Sequence, residues 1–164
     1  MGFLDGAGSR GRSRLPDVAE FEIDDDRTRV DRDVLWEFLS TKAYWGRFRD
    51  RAKVERQLDG AWRVVAAYRA SDGAMVGYAR AVSDGEAQAY LADVFVVEEA
   101  RGHGLGKAIV HAMIEEGPGP YFRWMLHTLD AHDLYRPFGF AEPDGHYMER
   151  KGRNNEVFGP GGAK

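Results

Sequence analysis

The chain has 164 residues, a formal net charge of -4, 43% hydrophobic and 30% charged residues, and no cysteine. That length sustains one domain with a core of its own. The lack of cysteine excludes disulfides, thiolate metal sites and a cysteine nucleophile, and the mild acidity offers no global basic face for nucleic acid. No stretch approaches the ~18 consecutive apolar residues of a membrane span. Residues 1–16, rich in Gly and Arg, lack the apolar core of a secretory signal. Neither nucleic acid nor membrane is therefore an expected partner, and the expected location is cytoplasmic.

Residues 1–17 have almost nothing to bury and read as a flexible tail, as do residues 152–164 with their Gly159-Pro160-Gly161-Gly162 run. The folded domain is expected over 18–151. Residues 21–23 can form a first strand. Asp31 or Asp33 can cap a helix that places Val34, Leu35, Phe38 and Leu39 on one face, and Tyr44-Trp45-Gly46 ends it. A polar helix follows over 50–58, stopped by Asp59-Gly60. Strands are expected at 62–68 and 75–82, joined by Ser71-Asp72-Gly73. After Ser83-Asp84-Gly85 comes the apolar run 89–97, which reads as a central strand. A helix begins near Leu105 and ends at Gly117-Pro118-Gly119-Pro120. Residues 121–129 read as a strand, Asp130 as the cap of a short helix with Asp133 at its third position, and 138–149 as a final strand. This is a mixed α/β order, unlike a repeating βαβ or an all-β sandwich.

The chemistry concentrates where the central strand meets the next helix, at Arg101-x-x-Gly104-x-Gly106. Glycines let the backbone turn tightly and approach a ligand. The first amides of a helix lack internal partners and, with the helix dipole, suit a phosphate; Arg101 and Lys107 add charge. A P-loop is excluded, because Arg101 stands at its first glycine and Ala108 at its Ser or Thr. A dinucleotide fingerprint fails at Lys107 in one register and at Ile109 in the other. A glycine turn that merely joins strand to helix is the plain alternative.

Residues 94–106, Val-Phe-Val-Val-Glu-Glu-Ala-Arg-Gly-His-Gly-Leu-Gly, resemble the acetyl-CoA motif of the GNAT N-acetyltransferases. Residues 130–140, Asp-Ala-His-Asp-Leu-Tyr-Arg-Pro-Phe-Gly-Phe, resemble the family's later Tyr-x-x-x-Gly-Phe motif, and the two occur in family order over about residues 19–150. One departure is Glu98, where many members carry proline. The resemblance implies an α+β fold: a mixed, mostly antiparallel sheet of six to seven strands flanked by about four helices. It implies acetyl-CoA as co-substrate and a small-molecule amine or a protein amino group as acceptor, attacked directly in a ternary complex. It also allows a homodimer.

By the same resemblance, Val94, Phe95 and Val96 would pair with the pantetheine arm. The amides of Arg101, Gly102, His103, Gly104, Leu105, Gly106 and Lys107 would hold the pyrophosphate, and the Val96 amide would meet the oxyanion. Tyr135 falls where the family protonates the leaving thiolate. Asp93 is a candidate base for the acceptor amine, with a salt bridge to Arg80 as its structural alternative; His132 and Glu99 are weaker candidates. Tyr44 and Trp45, with Phe48, fall where the family covers the acceptor, or else plug the core. The basic run Arg47, Arg49, Arg51, Lys53, Arg56 reads as a solvated helix face. The histidines have no metal-ligand spacing, so no metal is expected. A non-catalytic acyl-CoA sensor or scaffold of the same fold is the alternative function.

Overall fold

The computed structural model describes residues 20–46 and 48–150. The expected tails, residues 1–17 and 152–164, and Arg47 lie outside the described residues. Five strands form one sheet in the order β1 (Phe21–Asp24), β2 (Arg63–Arg69), β3 (Met75–Ser83), β4 (Gln88–Val96), β5 (Arg123–Met125). The first four are antiparallel neighbours and β5 runs parallel to β4. The meander follows from its turns. Asp72 Oδ1 accepts from the Ala74 amide at 3.1 Å, and Asp84 Oδ1 accepts from the amides of Glu86, Ala87 and Gln88. A parallel return needs a crossover, and α3 (Leu105–Glu115) supplies it.

The period-2 alternation of the strands divides the core between the two faces of the sheet. On one face Val64, Ala66, Tyr68, Tyr78 and Phe95 join Leu35 of α1 (Arg32–Glu37) and Val54 and Leu58 of α2 (Arg51–Asp59). Opposite, Val65, Ala67, Val76, Ala79 and Leu91 meet Leu105, Ile109, Val110 and Met113 of α3. Helices α1 and α2 start where the sequence provides a cap: Asp31 accepts from the amides of Asp33 and Val34, and Asp50 from that of Lys53. Among the described residues no helix is long and apolar enough to cross a membrane.

Four expectations need correction. Among the described residues the sheet has five strands, not six or seven. The strand expected at 121–129 is reduced to Arg123–Met125. The final strand expected at 138–149 does not form, because Gly139 turns at φ 83°, Asp144 folds an Asx turn onto the His146 amide, and residues 141–150 are all exposed, with no face to bury. Asp130 is not the cap of α4 (His132–Tyr135): Ala131 takes that position and no side chain caps it.

Helix α3 lies close against β3 because Gly77 has no side chain. A Cβ there would stand 2.6 Å from Ile109 Cδ1 and 3.3 Å from the Phe95 carbonyl oxygen. Ile109 is fully buried. Gly77→Val is therefore expected to destabilise the domain by about 2–3 kcal/mol through overpacking, read as a lower urea midpoint, and Ile109→Ala in the same chain to return part of the loss.

Candidate functional site

The site is organised by β4, whose two edges differ. One edge is paired with β3 along its length, while β5 pairs only with Gln88–Tyr90 of the other. Beyond Tyr90 the second edge is open. Pairing parity decides which groups face it: the Val97 amide donates to the Val76 carbonyl, and Val96 lies opposite Gly77. Residues alternate between bonded and non-bonded pairs in an antiparallel ladder, so Val96 turns its N–H and C=O away from β3. That carbonyl accepts from Arg101 Nε at 3.3 Å.

Midway along β4 the ladder slips. Tyr78 faces Phe95 and Arg80 faces Ala92, so β4 carries one residue more than β3 between these pairs. This is a β-bulge, a feature that bends a strand and increases its twist. Asp93 sits in it at φ 54°, the one left-handed non-glycine among the described residues. Such a conformation costs of order ~1–3 kcal/mol and persists where the surroundings impose it. Here two guanidinium groups do so. Arg49 is bidentate, Nη2 at 2.7 Å from Oδ1 and Nη1 at 2.9 Å from Oδ2, and Arg80 Nε lies 2.6 Å from Oδ2. Burial alone would raise the carboxyl's pKa, but the hydrogen bonds and charges of Arg49 and Arg80 outweigh it and hold Asp93 below the usual range. Arg49, expected on a solvated helix face, is instead largely buried and bound also to Gln57.

A slot of about 240 Å³ runs along the open edge, lined by Val94, Phe95 and Val96, by Arg101 and Gly106, and by Phe38, Trp45 and Leu134. Trp45 also packs against the core, and its indole N–H is buried without a partner. At the far end of the slot Gly102 and Gly104 turn at φ 83° and 77°, a region open to glycine at no steric cost. Gly104 caps α3 with no side chain, and no acidic residue stands in the first turn of α3. The opening amides thus keep their donors and their positive potential. Lys107 is exposed beside them. His103 turns aside, its Nδ1 near the Ala100 and Arg101 carbonyls and its ring tilted on Phe21. A separate, polar depression of about 210 Å³, lined by Ile23, Asp25, Arg63 and Glu116, includes no residue of β4.

Tyr135 is the buried phenol of α4. Burial pushes Tyr135 up to about 12, and Tyr44, Asp130 and Tyr90 reinforce the shift. Tyr44 accepts from the Leu129 amide at 3.1 Å, which ties the α1–α2 connection to the chain after β5. His132 and Glu99 are exposed, as is Phe48. Tyr90 and His127, which no motif marks, lie 2.8 Å apart from phenol oxygen to Nδ1. They are 37 residues apart in sequence, and only the parallel β4–β5 pairing, which sets Tyr90 opposite Met125, unites them.

Residues 24–140 match the family described as the acetyltransferase (GNAT) family. The chain belongs to that family. A solved GNAT structure from Xanthomonas campestris pv. campestris, titled "putative acetyltransferase", is 33% identical to this GNAT domain. The match covers 80% of this chain and 92% of that one, with a TM-score of 0.74. A Deinococcus radiodurans R1 structure with a similar title matches in fold, at 22% identity and a TM-score of 0.63 over 82% of this chain and 91% of that one. A curated protein of Gibberella zeae, "Putative acetyltransferase FG08082", is 30% identical over 105 residues, 63% of this chain; the chain spans 57% of that relative's length.

The clamp at the bulge makes a direct demand on stability. Asp93→Ala leaves two largely buried guanidinium groups without their counter-charge and is expected to cost about 3–5 kcal/mol, measured by chemical denaturation. The sign with pH follows from the depressed carboxyl: the stabilisation is present above the unfolded-state value near ~3.9 and is lost as pH falls through the lower folded-state value. The acid limb of the stability profile should therefore flatten in the variant.

Proposed function

We propose that this GNAT domain transfers an acetyl group from acetyl-CoA to a primary amine by direct attack in a ternary complex. The observation that carries the reading is the open edge of β4, with Val96 turned outward and leading to the uncapped start of α3. An extended amide chain suits that edge as a further strand, because it meets N–H and C=O groups at strand spacing. A pyrophosphate suits the amides from Arg101 to Lys107, since they combine free donors with the helix dipole. The partnerless indole N–H of Trp45, a residue lining the slot, is a donor awaiting an acceptor such as a carbonyl of the pantetheine arm.

Chemistry would then fall at the bulged half of β4. The Val96 amide, free of β3, is placed to donate to the oxygen that gains charge as the amine adds to the thioester carbonyl. Tyr135, with its raised pKa, remains a neutral O–H donor throughout the physiological range. A thiol near ~8.5 lies well below it, so complete proton transfer from the phenol is uphill. Its role is to donate a hydrogen bond to the departing sulfur, while the proton lost by the amine replaces any that the phenol gives up. Asp93 fits a positioning role better than that of a base, since both its oxygens are bound by cations. Tyr44 and Trp45, held between the slot and the chain after β5, fit a wall of the acceptor space.

The test is release of free thiol from acetyl-CoA across a panel of alkyl amines, amino acids and peptide amino termini. Tyr135→Phe is expected to lower kcat by about 10²-fold with little change in the KM for acetyl-CoA. Gly104→Val is expected to raise that KM by tenfold or more. Thermal stabilisation by CoA, without thiol release for any amine, would leave a binding module; no stabilisation at all would overturn the reading.

A further inference from the structure

Beyond the bulge, on the sheet face that carries Arg80, β4 presents Tyr90 opposite Val82 of β3. Its hydroxyl lies 2.8 Å from His127 Nδ1, with the rings tilted at a centroid distance of 5.7 Å. On the far side of the imidazole, Nε2 stands 3.6 Å from Glu149 Oε1. A carboxylate beside Nε2 favours the proton on that nitrogen and leaves Nδ1 as an acceptor. The phenol O–H therefore donates to Nδ1, and the phenol oxygen keeps its lone pairs for another donor. Tyr90 is half-buried, whereas the His127 side chain is 54% exposed. The three groups form a line from the half-buried Tyr90 of β4 to solvent.

We propose that Tyr90, His127 and Glu149 form the proton relay that frees the acceptor amine for attack. This rests on the acetyl-transfer reading above. An ammonium has no lone pair, so a proton must leave nitrogen before or as the C–N bond forms. In the relay an N–H bond of the ammonium breaks as the first of its two departing protons passes to Tyr90 Oη; the second leaves later, with the sulfur, as the tetrahedral intermediate collapses. The phenolic proton passes in the same event to His127 Nδ1, and the electron pair of the broken bond stays on nitrogen. The imidazolium so formed stands beside the Glu149 carboxylate and returns its proton to solvent. No charge remains on Tyr90.

The placement is favourable for this acceptor. Tyr90 lies on β4 three residues before Asp93, on the strand whose open edge lines the slot. The stretch containing His127 is fixed at its other end by the Leu129–Tyr44 hydrogen bond. The groups facing Tyr90 come from every neighbouring segment: Tyr147 from the C-terminal stretch, Asp93 from its own strand, His127 from the segment after β5, and Arg80 from β3. Asp93 is already bound by Arg49 and Arg80. That leaves His127, whose ring nitrogen lies 2.8 Å from the Tyr90 hydroxyl, as the group placed to receive the phenolic proton.

The experiment compares two acceptors of unlike basicity, an alkyl amine and methoxyamine, across pH 5.5–9. Methoxyamine, whose conjugate acid is far stronger than an alkylammonium, is largely neutral in that range and has little need of a base. Tyr90→Phe and His127→Gln are expected to lower kcat/KM for the alkyl amine by about 10²-fold at pH 7, and by less than threefold for methoxyamine. The KM for acetyl-CoA and the thermal shift with CoA should be unchanged. Glu149→Gln should give a smaller loss of the same kind, and the ¹⁵N shifts of His127 should report Nε2–H in the parent chain and a weaker preference in that variant. Equal losses for the two acceptors, or variants that follow the parent pH profile, would overturn the relay while leaving acetyl transfer intact. A parent chain that acetylates no amine would remove the acetyl-transfer reading itself, and the relay with it.

Discussion

Asp93 takes three N–H donors on two oxygens, and the geometry of the site depends on that ion cluster. Without it, an aspartate at φ 54° in the middle of a β-ladder would be strained for no return. With it, the bulge is fixed, and the β4 side chains beyond Asp93 are brought onto the face they need. Tyr90 and Ala92 share the face of Arg80, and Phe95 remains with Tyr78 and Phe38 in the core. The cluster also joins parts of the chain distant in sequence. Arg49 comes from the connection between α1 and α2, Arg80 from β3 and Asp93 from β4, so the wall bearing Tyr44 and Trp45 is anchored to the strand it overlooks. Buried ion pairs add little net stability, but breaking one is costly, and that asymmetry gives the arrangement its rigidity.

Much of this was legible in the sequence, for local reasons. The meander followed from Asp-Gly turns between β-branched runs, and α3 from a helical repeat opened by glycine and closed by Gly-Pro. The turn that opens α3 followed from Arg101-x-x-Gly104-x-Gly106, which encodes its own backbone geometry. The C-terminal region was misjudged because Tyr147-Met148-Glu149 looks like a strand only when the question of what it would pack against is left out. Residues 141–150 are all exposed, and apolar letters without a surface to bury them do not make a strand.

The site residues that escaped notice share one cause. Arg49 lies in a run of basic residues whose usual fate is solvation, and its burial is decided by an aspartate 44 positions later. Tyr90 and His127 carry no spacing signal, because a parallel strand pairing brings them together across a whole crossover helix. Asp93 did stand out, as an acid inside an apolar strand, and the pairing with Arg80 was foreseeable from that oddity. The second guanidinium and the bulge were not, since both are products of three-dimensional register.

The open half of β4 has a further meaning for a protein at high concentration. A bare strand edge is a template to which any passing extended segment, including one from an identical molecule, can add. In this fold the exposed stretch is short, kinked by the bulge and flanked by Arg101, whose guanidinium already lies across the Val96 carbonyl. A single long cation thus covers the carbonyl that the bare edge would otherwise offer to a neighbouring strand. The loop that follows β4 supplies its own guard against edge-to-edge self-association.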